Sequence, residues 1–104
     1  MTHPIAILCT CSGVDEAERI AKALVEERLA ACVNILPEIR SIYRWQGAIE
    51  SSAEVLLVIK TVRERFDGLA ARIRELHSYE TPEIVALEIV VGDEKYVNWL
   101  REQV

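Results

Sequence analysis

The chain of 104 residues has the length of one domain, and its 28% charged and 51% apolar residues are typical of a folded soluble protein. A formal net charge of −5 and a pI near 5.0 disfavour nucleic acid and anionic membrane surfaces as partners. The three cysteines, with no signal peptide and no apolar run of membrane-spanning length, favour a reducing compartment. We therefore expect one cytoplasmic domain over 1–104 with free thiols.

The chain begins with a predicted strand and helix. Ile5–Thr10 is a short apolar strand, and Ser12–Asp15 resembles a capping box that starts a helix ending near Arg28. The predicted buried stripe follows helical spacing and consists of Ala17, Ile20, Ala21, Leu24 and Val25. The opposite, solvent-facing side is predicted to hold Asp15, Glu16, Glu18, Lys22 and Glu26.

Leu29–Thr61 reads as a long hairpin. One arm runs from Ala31 to Trp45 with Pro37 interrupting it, a turn follows at Gln46-Gly47, and the other arm runs from Ile49 to Ile59. Such an arm reaches ~40 Å or more, whereas a compact domain of this length has a radius of gyration of only ~13 Å. The hairpin tip is therefore expected to curl back or to lie on another molecule.

The second half of the chain is predicted to add a helix, a strand and a final helix. Thr61–Glu64 has the pattern of a second capping box, before a helix whose inward side holds Phe66, Leu69, Ala70, Ile73 and Leu76. A loop leads to a fourth strand, Glu83–Val91, and Asp93 is predicted to cap the last helix.

The order strand, helix, strand, strand, helix, strand predicts an α+β protein with the ferredoxin-like split βαβ (βαββαβ) fold and an extra C-terminal helix. Both helices then lie on one face of an antiparallel sheet, and the other face is normally polar. The predicted strands are instead apolar on both sides, as in Ile5–Cys9 and Val55–Ile59. We therefore expect a closed homo-oligomer in which the sheets face inward.

Several segments together resemble the CutA divalent-cation tolerance family across essentially the whole chain. These segments are Leu29–Asn34, Ser41–Trp45, Glu54–Thr61, His77–Glu83 and Tyr96–Trp99. The resemblance implies a ferredoxin-like trimer with the architecture of the PII signalling trimers, in which the hairpin tip reaches over a neighbouring subunit. It also implies a link to copper tolerance and, in some members, binding of divalent copper.

Cys9-Thr10-Cys11 is the first candidate site, because residues at i and i+2 of a strand point the same way and two sulfurs can meet one soft metal. His77 lies in a loop that could approach the end of the first strand if strands one and four are neighbours. The family resemblance implies copper ligands at Cys9 and His77. Leu76 stands where the family has a further His, and Ser78 replaces its Pro, so the set is depleted unless Cys11 substitutes.

The alternative for these residues is structural: buried cysteine is often a packing residue, and His77 could simply bond to backbone. Cys32 is expected to lie in the core. Met1-Thr2-His3 resembles an N-terminal copper chelator, which removal of Met1 would destroy. No cofactor is expected to be required, although copper or another divalent cation could bind.

A second candidate site is a cleft between subunits formed by Trp45, Lys60, Tyr79 and Glu83. Lys60 ends an apolar strand and needs a partner, for which Glu83 is the candidate. With aromatic walls from Trp45 and Tyr79, such a cleft could bind a small anion or metabolite. The alternative is an interface ion pair with aromatic packing.

The sequence thus predicts a cytoplasmic homotrimer that binds divalent metal ions, copper in particular, and contributes to divalent-cation tolerance. The alternative is a PII-like small-ligand sensor or adaptor that acts through inter-subunit clefts without a metal function. No Gly-rich phosphate loop, zincin motif or nucleophile elbow is present, so we do not expect an enzyme.

The second helix carries arginines interrupted by acids, which is typical of a solvated face.

Overall fold

The protein is described here by a computed structural model that covers residues 2–104. Four strands form one antiparallel sheet in the order β2-β3-β1-β4, which is the arrangement of the ferredoxin-like fold. The strands are β1 Pro4–Cys11, β2 Cys32–Trp45, β3 Ala48–Val62 and β4 Val85–Glu88. The helices are α1 Val14–Glu26, α2 Phe66–Leu76 and α3 Glu94–Gln103, with a short 3₁₀ turn at Arg63–Arg65. The predicted fold class is confirmed.

The core lies between one face of the sheet and helices α1 and α2. Alternate residues of β1 point into it, so that Ile7, Cys9 and Cys11 are fully buried while their neighbours are partly exposed. β3 follows the same alternation. The residues packed together are Ile5, Ile7, Cys9, Cys11, Ala17, Ile20, Leu24, Ala30, Val55, Leu57, Ile59, Leu69 and Ile73. The apolar residues at every second position of the strands therefore pack against the apolar stripes of the helices and form one layer.

The long hairpin is present as predicted, and its turn is at Gln46-Gly47. Gln46 has φ of 49° and Gly47 has φ of 82°, so both central residues are left-handed as in a type I′ turn. The pairing of β2 with β3 slips between Leu36 and Ile39, on either side of Pro37, which cannot donate a ladder hydrogen bond. The molecule is 44 Å long and 25 Å by 22 Å across.

The second face of the sheet is largely uncovered, which agrees with the two-sided apolar pattern of the strands. Leu87 pairs with Ala6 and Val85 with Leu8 on this face, and the exposed fractions of Leu87 and Val85 are 55% and 48%. Helix α3 covers only one end of this face, where Leu100 is buried together with Val62. We call this surface the open face: Ala6, Leu8, Leu36, Leu56, Val58, Val85 and Leu87.

Both predicted capping boxes are wrong, whereas the predicted cap at Asp93 is confirmed. Helix α1 begins after Gly13 with no side-chain cap, and Ser12 instead donates from its amide and hydroxyl to Glu16. Thr61 lies inside β3, where its buried hydroxyl donates to the carbonyl of Leu29 at 2.6 Å. Asp93 accepts a hydrogen bond from the amide of Tyr96 at 3.1 Å.

Two residues of α1 and the end of the fourth strand also differ from the prediction. Val25 is 43% exposed, whereas Glu16 is only 8% exposed, because the carboxylate of Glu16 has hydrogen-bond donors inside the protein. β4 ends at Glu88 since its partner β1 begins at Pro4, and only the amide of Ile89 still reaches the carbonyl of Pro4. The predicted terminal chelator includes Met1, which lies outside the described residues.

Candidate functional site

The first candidate site lies at the end of β1, beneath the loop that follows α2. Cys9 and Cys11 point into the core from the same side of β1, and neither has any exposed surface. His77 ends α2 and turns back over this strand. One ligand atom from each of the three residues lies within 4.8 Å of the others. Within residues 2–104, this is the one group of three or more His, Cys, Asp or Glu residues placed to hold a metal ion.

Both ring nitrogens of His77 already have partners. The amide of Tyr79 donates to Nδ1 at 3.0 Å, so Nδ1 carries no proton. In the neutral ring the proton is therefore on Nε2, which donates to the carbonyl of Thr10 at 2.8 Å. Either nitrogen must give up its present partner before it can bind an ion.

The two thiols of the site are not equivalent. The pKa of Cys9 is raised, first by its hydrogen bond to Cys11 and then by burial. The pKa of Cys11 is lowered, because accepting that hydrogen bond stabilises its thiolate more than burial opposes it. Cys11 is therefore the more readily ionised sulfur of the two.

Glu16 connects the parts of this site, although the sequence placed it on the solvent side of α1. Its Oε1 accepts from the amide and hydroxyl of Ser12 at 3.2 Å each, and its Oε2 accepts from the amide of Ser78 at 2.8 Å. Burial acts to raise the pKa of Glu16, but the hydrogen bonds from Ser78 and Ser12 outweigh it, so the pKa is lowered. The available signal was its position as the third helical residue, where a Glu commonly bonds back to the preceding backbone.

The second candidate site is a cavity of about 760 Å³ between the hairpin and the loop after α2. Three of the four residues predicted for the cleft line it: Trp45, Tyr79 and Glu83. Lys60 does not, because it lies six residues along β3 from Glu54, at the far end of the strand. Its ammonium group donates to Asn34 and lies 3.9 Å from the sulfur of Cys32. Within one chain the predicted pair of Lys60 with Glu83 is absent, and a pair across a subunit boundary stays a prediction.

Glu54 is a lining residue that the sequence reading missed. It is 9% exposed, and the hydroxyl of Tyr79 donates to its Oε2 at 2.7 Å. The pKa of Tyr79 is raised by burial and by this bond to Glu54. In the described chain the ion pair present is Arg72 with Glu27, so Glu54 has no basic partner. The available signal in the sequence was an acidic residue directly before the apolar run Val55–Ile59.

Comparison with known families and proteins gives consistent matches over nearly the whole chain. Residues 5–103 match a family described as CutA1 divalent ion tolerance protein. The chain is 53% identical over 96 residues to the divalent-cation tolerance protein CutA of Thermus thermophilus, covering 92% of this chain and 93% of that protein. It is 44% identical over 97 residues to the human protein CutA, covering 93% of this chain but 54% of the human protein. The chain thus spans about half the length of that human relative.

Solved structures give the same result. The Thermus thermophilus divalent cation tolerance protein has a TM-score of 0.95 at 50% identity, covering 97% of this chain and 98% of that one. The periplasmic divalent cation tolerance protein CutA of Archaeoglobus fulgidus has a TM-score of 0.93 at 40% identity, covering 96% and 97%. The likeness therefore includes sequence as well as fold.

Proposed function

This chain belongs to the CutA1 divalent ion tolerance family, and on that premise we propose that it binds copper or another divalent cation and contributes to divalent-cation tolerance. The observation that carries the metal proposal is the convergence of Cys9, Cys11 and His77, whose ligand atoms lie within 4.8 Å of one another. We propose these three residues as the ligands.

The donor set suits a soft or borderline ion. Thiolate sulfur and imidazole nitrogen favour copper and zinc over magnesium or calcium, which prefer oxygen. Leu76 removes a donor that the family resemblance implied, and Cys11 supplies a sulfur in its place. Metal binding requires loss of the thiol protons, so it should release protons. It also requires that His77 give up its hydrogen bond to Thr10 or from Tyr79, so these hydrogen bonds compete with the metal ion.

The test is calorimetric titration of copper and zinc into the reduced protein under anaerobic conditions. Cys9→Ser, Cys11→Ser and His77→Ala should each weaken binding by about tenfold or more, since even outer-shell changes at metal sites cost 10–100-fold. Cys32→Ser is the matched control, because Cys32 is also a free cysteine but lies beside Lys60, away from the triad. Unchanged affinity in the three variants, with circular dichroism confirming that they fold, would remove this site from consideration.

We also propose that the protein is a homotrimer, supported by the open face and by the exposed apolar residues of the hairpin. Ile42, Ile49 and Trp45 near the hairpin tip are 72%, 63% and 51% exposed. Light scattering after gel filtration gives the mass directly. Leu87→Glu on the open face should dissociate the trimer, whereas Val25→Glu on α1 should not, although Val25 is comparably exposed at 43%. A monomeric wild-type protein at micromolar concentration would contradict the proposal.

We propose the cytoplasm as the compartment and binding rather than catalysis as the activity. The three cysteines are free, and thiols persist in a reducing compartment. Among residues 2–104 no helix is long and apolar enough to cross a membrane. Relatives are named as tolerance proteins rather than for a reaction. Cell fractionation with an antibody to the chain tests the location, and recovery with the periplasmic or membrane fraction would refute it.

The cavity favours a second candidate function, a PII-like small-ligand sensor. Trp45, Tyr79 and Glu83 converge there within one chain, and the cavity is within the 300–1,000 Å³ typical of ligand pockets. A thermal-shift screen of nucleotides, carboxylates, metals and amines separates the two functions. A ligand at 100 times its dissociation constant adds about 2.7 kcal/mol to the free energy of unfolding. If metals alone raise the melting midpoint, the sensor function is wrong.

A further inference from the structure

We propose that the cavity between the hairpin and the loop after α2 binds a small organic ammonium ion, with Glu54 as its charge partner. The sequence alone pointed to a small anion or metabolite, because Lys60 was placed in the cleft. This inference rests on the second candidate function, the ligand cavity, and does not depend on the metal site. It names the class of ligand that the cavity takes.

The charge of the cavity has one sign. Among the described residues 2–104, its lining contains three carboxylates and no lysine, arginine or histidine. The residues that line it are Thr10, Ser12, Ser41, Ile42, Tyr43, Trp45, Ser52, Ala53, Glu54, Tyr79, Glu80, Thr81 and Glu83. Lys60, the predicted cation, is held by Asn34 at the far end of β3. The charged side chains that an anion would meet there are therefore all negative, whereas a cation is complementary to them.

Glu54 is the strongest reason to expect a cation. The side chain is 9% exposed, yet no arginine or lysine of the described chain lies within ion-pair distance of it. Its Oε2 accepts one hydrogen bond from Tyr79, and the carboxylate borders the cavity. Burial of a carboxylate is costly unless it is paired, so a bound cation would supply the missing partner.

The walls favour an organic cation. Trp45, Tyr43 and Tyr79 line the cavity, and aromatic faces attract ammonium groups through the negative charge of the ring face. Aromatic cages recognise alkylammonium groups, and here the buried carboxylate of Glu54 adds a charge partner for such a group.

The same geometry argues against a bare metal ion in this cavity. Hard divalent cations need several oxygen ligands at ~2.0–2.6 Å from one centre. Within the described residues Glu54, Glu80 and Glu83 do not form a three-ligand group, since the one group of that kind is Cys9, Cys11 and His77. At about 760 Å³ the cavity is also far larger than a single ion requires.

The test uses Trp45 as its own reporter. The chain has two tryptophans, so Trp99→Phe leaves Trp45 as the single one, and its fluorescence is followed during titration of the full-length protein. The probes are putrescine for primary ammonium groups, tetramethylammonium for a quaternary group, and tert-butanol as a neutral molecule of similar size. We expect at least one ammonium probe to bind and tert-butanol not to bind.

Glu54→Gln keeps the shape and the acceptor for Tyr79 but removes the charge. It should weaken binding of the ammonium probe about 10- to 100-fold, because hydrogen bonds to charged groups are worth about 1.5–3 kcal/mol. Glu50→Gln is the matched control: Glu50 is an exposed acid on the same strand, outside the cavity lining. If Glu54→Gln does not fold, Trp45→Leu followed by calorimetry is the second variant, and it should also weaken binding.

Three results would overturn the proposal. They are equal binding of tert-butanol, affinity that does not change in Glu54→Gln or Trp45→Leu, and a crystal structure of the assembly in which a neighbouring subunit places a lysine or arginine on Glu54. Cys9→Ser should keep ammonium binding, and Glu54→Gln should keep copper binding. Failure of the metal proposal and failure of this one are therefore distinguishable.

Discussion

Glu16→Ala is the most informative substitution for stability, because one carboxylate joins three segments. It accepts two hydrogen bonds from Ser12 at 3.2 Å and one from the amide of Ser78 at 2.8 Å. Truncation leaves two backbone N–H groups without an acceptor, at about 1–3 kcal/mol each. Ser12 and Ser78 are themselves exposed, so water replaces part of the loss. We expect the free energy of unfolding to fall by about 2–3 kcal/mol.

The assay is unfolding in guanidinium chloride at pH 7 with the protomer concentration held fixed, because oligomer stability depends on concentration. Glu18→Ala is the control: it removes an acid from the solvent side of the same helix and should change stability by no more than about 0.5 kcal/mol. Equal stability of the Glu16→Ala and Glu18→Ala proteins would show that the hydrogen bonds of Glu16 contribute nothing net.

The effect should also depend on pH in one direction. The pKa of Glu16 in the folded protein is below the ordinary value of 4.5, so its carboxylate favours the folded state. That contribution is complete above pH 4.5 and is lost as pH falls through the folded pKa. The difference between wild type and Glu16→Ala should therefore shrink as pH falls below 4.5, and a difference that grows in acid would contradict the assignment.

Three further changes in stability can be measured in the same unfolding assay. Gly47→Ala should cost about 1 kcal/mol, because Gly47 has φ of 82° but open space around its Cα, whereas Gly13→Ala at extended φ should cost no more than about 0.5 kcal/mol. Thr61→Val should cost about 1–2 kcal/mol, because it leaves the carbonyl of Leu29 without its buried donor. Leu100→Ala should cost about 2–5 kcal/mol and make α3 sensitive to limited proteolysis, because this side chain is fully buried.

The sequence predicted the elements well and their ends poorly, for a physical reason. Periodicity reports which face is buried, and it located α1, α2 and the two arms of the hairpin, while Gln46-Gly47 indicated the turn. The end of a strand depends on its partner: β4 stops at Glu88, opposite Ile5, because the next residue of β1 is Pro4, which has no N–H to donate to the ladder. Ser12 and Thr61 were predicted to cap helices. The hydroxyl of Ser12 instead donates to the side chain of Glu16 in the helix, and that of Thr61 donates to the carbonyl of Leu29, which is distant in sequence.

The sequence likewise predicted some residues of the candidate sites and missed others. The strand period places Cys9 and Cys11 on one side of β1, and the pairing of β1 with β4 explains why the loop with His77 lies above them. Glu16 and Glu54 were missed because an acidic residue is expected in solvent, and only the tertiary fold brings the amide of Ser78 and the hydroxyl of Tyr79 to their carboxylates. Within one chain the cavity lacks the predicted Lys60 because this residue lies at the far end of β3, and the predicted cleft between subunits stays a prediction.

One loop, residues 77–83, serves both proposed sites, so the two should not be independent. An ion on Nδ1 of His77 displaces the amide of Tyr79 directly. An ion on Nε2 moves the ring proton to Nδ1, which then faces that amide donor to donor. Either route deprives the amide of Tyr79 of its acceptor, and the hydroxyl of the same residue holds Glu54 in the cavity. A bound metal ion should therefore lower the affinity of the cavity for the ammonium ion. By linkage, a bound ammonium ion should lower the affinity for the metal by the same factor.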